Sequence, residues 1–72
     1  MKKTVKIQAG VYHFYFNDIL YAIATKCKDN TWRYDDMIHT YYFDTLAACK
    51  NQFSLYNWSS GKYKAFPWKN TI

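Results

Sequence analysis

His13, Cys27, His39 and Cys49 hold the imidazole nitrogens and thiols from which tetrahedral zinc sites are made. Their spacing argues against that use, because structural zinc sites are preorganised by close ligand pairs and these four donors are scattered evenly along the chain. His39 with Cys49 is the other reactive combination, a base and a thiol, yet nothing in the sequence builds a pocket around it. Acids cluster only in "YDD", where adjacent Asp35 and Asp36 fall on opposite faces of an extended strand and do not converge on one cation. A turn or capping role is the expectation for them, and a helix-capping role for Asp44. The chain has no glycine-rich phosphate loop, no metal-spaced cysteine pair and no nucleophile elbow. Neither an enzyme nor a bound cofactor or metal is expected.

Rings and lysines are what remain. Three Trp, eight Tyr and five Phe occur in 72 residues, beside two Gly, one Pro and no Glu. That is more aromatic surface than a core of this size needs, so several rings are expected at the surface or under a partner. The net charge of +5 comes almost wholly from lysine, Arg33 being the single arginine. Residues 1–28 carry five lysines against Asp18, residues 50–72 four lysines against no acid, and residues 29–49 four aspartates against Arg33. If the termini meet, they form one basic patch and leave an acidic one elsewhere.

Two uses of this surface follow. In a protein-docking reading, Trp58, Tyr63, Phe66 and Trp68 of the C-terminal segment, with Tyr15, are the contact rings. In a nucleic-acid reading, Tyr15 and His13 stack on bases while Arg33 and Lys2, Lys3, Lys6, Lys62, Lys64 and Lys69 neutralise phosphates. The protein partner is favoured, because the excess is aromatic more than basic and one arginine is few for phosphate or groove readout.

The elements that position these residues read mostly as strands. "VYHFYF" divides by parity into Val11, His13 and Tyr15 against Tyr12, Phe14 and Phe16. Asn17-Asp18 makes a two-residue hairpin turn to "ILYAIAT", which pairs Phe16 with Ile19, Phe14 with Tyr21 and Tyr12 with Ile23 on a large apolar face taken as the core. "TWRYD" reads as a third strand with Trp32 and Tyr34 opposite Arg33, and Met37 to Phe43 as a fourth strand or an irregular lead into a helix. In "FDTLAACKNQFSLYNW", Leu46, Cys49, Phe53 and Tyr56 recur on one helical face, with Asp44 or Thr45 at the cap and a turn at Gly61. "KYKAF" supplies a short final edge strand, ended by Pro67.

The expected fold is therefore α+β: one domain over residues 1–72, with an antiparallel sheet of three or four strands packed on one face by a single helix in the C-terminal half. Cys27 and Cys49 are expected as free thiols in a cytosolic protein, and no run is apolar and long enough to span a bilayer. A short sheet followed by "YYFDTLAACKNQF" resembles the three-strands-then-helix arm-site DNA-binding domains of phage integrases. That resemblance implies a sheet from Tyr12 to Arg33 entering the major groove, with Lys26 and Arg33 as contacts. Size and shape also resemble small phage-encoded inhibitors of host machinery, including some anti-CRISPR proteins. The function expected is a non-enzymatic protein-binding module acting on a host protein or on itself as a homodimer, the alternative being a DNA- or RNA-binding accessory protein.

Overall fold

Five strands precede one helix. They are β1 (Lys2–Gln8), β2 (Val11–Phe16), β3 (Ile19–Lys26), β4 (Trp32–Asp36) and β5 (Thr40–Phe43), followed by α1 (Leu46–Leu55) and a 3-10 turn at Trp58–Ser60. The computed structural model describes residues 1–66. Every strand pairs antiparallel with its neighbours in chain order, giving a meander β1-β2-β3-β4-β5. The α+β class stands, with five strands in place of three or four. Met37 to Phe43 resolves into a turn and the short β5.

The additional strand is β1. In "KKTVKIQ" no apolar face announces a strand: six of the seven residues are exposed and Val5 is half-buried. Its backbone is ordered by pairing with β2, where Lys3 lies opposite Tyr15 and Val5 opposite His13.

The β2–β3 hairpin turns at Asn17 and Asp18, both with positive φ (51° and 66°), which Asn and Asp tolerate and which two-residue hairpins require. Phe16 pairs with Ile19 as the turn demands, but the register then shifts between Phe14 and Tyr15. Tyr21 is the extra residue on β3, so Phe14 pairs with Ala22 and Tyr12 with Ala24, correcting the expected partners Tyr21 and Ile23. A bulge of this kind changes which residues of a strand face the core. Ala22 and Ala24 are thereby turned beneath the helix, fully buried, while Ile23 is left on the other face and Ile19 is exposed.

Thr45, not Asp44, caps α1: its Oγ1 accepts from the Ala48 N–H at 3.1 Å. The helix ends at Leu55, with Tyr56 already extended. Cys49 and Phe53 pack on Phe14, Ala22, Ala24 and Tyr34, with Trp58 closing the cluster. Rings run continuously through it: Phe14 stacks on Phe53 (5.2 Å), Phe53 on Trp58 (4.8 Å) and Trp58 on Tyr21 (5.0 Å). Such pairs add about 0.5–1.5 kcal/mol each beyond area burial. Residues 62–66 form no strand. The Phe66 N–H donates to the Leu20 carbonyl (3.0 Å) on the stretch of β3 that precedes its pairing with β4.

Candidate functional site

Register divides the sheet into two faces. Under α1 lie the rows Thr4–Phe14–Ala22–Asp36 and Lys6–Tyr12–Ala24–Tyr34–Tyr41. On the opposite face lie Lys3–Tyr15–Leu20, in which Tyr15 and Leu20 are buried, then Val5–His13–Ile23–Asp35–Thr40, then Gln8–Val11–Thr25–Arg33–Tyr42; the last two rows, which no described helix covers, are the open face. The second and third of these rows cross all five strands. They set half-buried Val5, Val11 and Ile23 beside exposed Arg33 and Tyr42.

Arg33 is tied on this face. Its Nε donates to Asp35 Oδ2 at 2.8 Å, and Thr40 Oγ1 donates to Asp35 Oδ1 at 2.7 Å. The Asp35 charge, with this hydrogen bond, raises the Arg33 pKa further. His13 is half-buried with Nδ1 3.4 Å from the Tyr15 hydroxyl, and burial holds its pKa below the usual imidazole range. Burial likewise raises that of Tyr15. The open face thus carries a neutral imidazole and a locally compensated guanidinium.

The docking rings expected from the sequence that the structure describes are buried or half-buried. Trp58 is 2% exposed and its indole N–H donates to the Phe53 carbonyl at 2.9 Å; Tyr15 is 4% exposed. Tyr63 is half-buried, stacked on Tyr56 (5.1 Å) and against Trp58, and Phe66 is half-buried. Trp68, Lys69 and Pro67 lie outside the described residues. Tyr42, 65% exposed, is a ring that the sequence reading did not single out. Parity in "TYYF" held the signal, since Tyr41 and Phe43 pack on the core and the residue between them must point away.

Of the basic candidates, Lys2, Lys3 and Lys6 come together on β1, all exposed. Lys2 Nζ donates to the Ser54 carbonyl at 2.9 Å. Lys26, at the end of β3, shares a row with Trp32 and Phe43, on the face opposite Arg33. The two side chains that the integrase resemblance pairs as DNA contacts therefore point to different faces. Lys62 and Lys64 are exposed beyond the 3-10 turn.

Asp36 takes the turn role: Oδ1 accepts from the backbone N–H of Ile38 (2.7 Å) and of His39 (2.5 Å), holding the β4–β5 connection. Its Oδ2 and the Tyr34 hydroxyl are buried without a partner among the described residues. Desolvation raises the Tyr34 pKa steeply. The Tyr56 hydroxyl accepts from Gln52 Nε2 at 3.0 Å and is pushed up to about 12, first by its hydrogen bond with Tyr41 and then by burial. Burial pushes the Cys49 thiol up to about 11, which leaves it protonated and poorly nucleophilic. No three metal-ligating side chains gather among the described residues. A concavity of ≈ 350 Å³ at the hairpin end is lined by Met1, Lys2, Lys3, Asn17 and Asp18 and contains no thiol or imidazole.

Comparison of the chain with family models, with curated proteins and with solved structures gives no match. None of the described helices is long and apolar enough to cross a membrane.

Proposed function

We propose that the chain is a non-catalytic binding module that docks on a protein through the open sheet face. The observation that carries this reading is the pair of rows spanning all five strands, with half-buried Val5, Val11 and Ile23 on β1 to β3 and with Arg33 and Tyr42 standing exposed on β4 and β5. No described helix lies on those rows. Tyrosine and arginine beside aliphatic side chains are what interface centres are made of. Nucleic acid is served less well, because Asp35 places a carboxylate in the middle of the face, Arg33 is engaged by it and His13 is neutral. A small module of this kind suits occlusion of a host machine, the mode of action that the likeness in size and shape to phage-encoded inhibitors implies.

Affinity capture from the source cell, with Tyr42→Glu and Arg33→Glu variants beside the unaltered chain, tests the reading. A protein retained by the unaltered chain and released by both variants, with nuclease treatment making no difference, is the expected result. Equal retention by all three, or material that disappears with nuclease, overturns it. In the latter case binding of random-sequence DNA falls steeply with added salt.

A further inference from the structure

We infer that the outer edge of β1 is a docking strand for an extended acidic segment of the partner, added antiparallel to the sheet. The inference rests on the binding-module reading and assigns that surface a second element and a partner chemistry.

Among the described residues β1 terminates the sheet, paired with β2 on one side only. On its other side alternate residues present N–H and C=O groups with no partner strand among the described residues, the template on which a further strand is added. Side-chain burial does not account for an ordered strand here, since only Val5 is even half-buried. The opposite edge, β5, has four residues against seven in β1 and leads directly into α1, so it offers a shorter ladder.

Charge selects the occupant. Lys2, Lys3 and Lys6 lie on β1 without an acid among its residues, and their rows place Lys2 and Lys6 on the helix side and Lys3 on the open side. Lys2 donates to the uncharged Ser54 carbonyl, so its charge stays uncompensated. An antiparallel strand laid on this edge sets acids at positions j, j+3 and j+4 opposite Lys6, Lys3 and Lys2, and opposite charges directly across a ladder attract. A second copy of this chain brings no acid to the three lysines, since β1 carries none, and in a two-fold pairing centred on Thr4 it sets Lys2 against Lys6, where like charges directly opposite repel. A phosphate backbone would use the lysines and accept from the strand's amides, but its phosphates offer no donor to the carbonyls that alternate with them. The acidic peptide satisfies both.

The probe is a labelled peptide of about nine residues of alternating Val and Thr, with Glu at j, j+3 and j+4. Fluorescence anisotropy is expected to show binding to the unaltered chain, weakened about tenfold or more by the Lys3→Glu/Lys6→Glu double variant. N-methylation of the peptide's alternate amides, which leaves its charge unchanged, is expected to abolish binding. Circular dichroism of the double variant checks that the sheet persists, and amide exchange on the unaltered chain is expected to slow in β1. Binding that survives N-methylation, tighter binding of a single-stranded oligonucleotide, a dimer by light scattering, or no binding at all each overturns the inference. If the peptide fails while capture still depends on Tyr42, the edge assignment falls alone; if both fail, the module reading falls with it.

Discussion

Strands β4 and β1 belong to one sheet and are held in it by different physics. β4 buries Tyr34 and Asp36 under α1 and closes its other face with the Arg33–Asp35 pair. β1 buries no side chain and turns three lysines outward. Backbone pairing is common to both. Only in β4 do side chains add ring packing and apolar burial to that pairing, so stability concentrates beneath the helix and β1 is held mainly by its backbone ladder.

Truncation in the helix-covered face should give the largest effect. Phe14 is fully buried and stacked on Phe53, so Phe14→Ala should cost about 3–5 kcal/mol, a large part of the roughly 5–10 kcal/mol that holds a small domain together. Denaturant unfolding should show a midpoint collapsed towards zero. Val5→Ala on β1 should cost about 1 kcal/mol or less in the same assay. Comparable losses for the two variants would erase the distinction between the strands.

A change of sign is expected one step down in size. The Tyr34 hydroxyl is buried with no described partner, so Tyr34→Phe should leave stability unchanged or raise it by about 1–2 kcal/mol. A loss of that size would mean that the hydroxyl has a partner, such as a water bridging to Asp36 Oδ2. The end of the helix should respond next. Thr45→Ala should cost about 1 kcal/mol by removing the acceptor for the Ala48 N–H, whereas Asp44→Ala should stay within about 0.5 kcal/mol.

These positions also mark what the chain discloses before folding. The Asn17-Asp18 turn, the parity of β2 and the Leu46–Cys49–Phe53 spacing all follow from local rules, and the structure keeps them. β1 escapes such reading because its order comes from pairing with β2 and not from a buried face that would pattern its own residues. The Tyr21 bulge escapes because two registers of the hairpin are locally equivalent, and only the fit of α1 over Ala22 and Ala24 separates them. The count of rings misled for a related reason. Neighbouring aromatics such as Trp58 and Tyr63 bury each other once the 3-10 turn folds them against Tyr56, and composition carries no trace of that. The open face was legible only as the complement of the core, row by row.

The smallest expected effect is a pH slope that belongs to the open face alone. His13 sits in the row between Val5 and Ile23, with Tyr15 its polar neighbour and Asp35 two strands away in the same row and engaged by Arg33. Burial lowers its pKa below the ordinary 6.5, so the folded chain resists the proton that the unfolded chain accepts. The unfolded state then binds more protons as pH falls below 6.5, and stability should be full above that value and decline below it. His13→Gln should remove that part of the slope and leave the carboxylate-driven loss, which begins at lower pH. The difference between the two unfolding curves isolates the imidazole. A flat difference curve would mean that burial does not resist the proton at all, and one that rises on acidification would mean that the imidazolium is stabilised in the folded state, leaving the open face with one more positive charge than its desolvation implies.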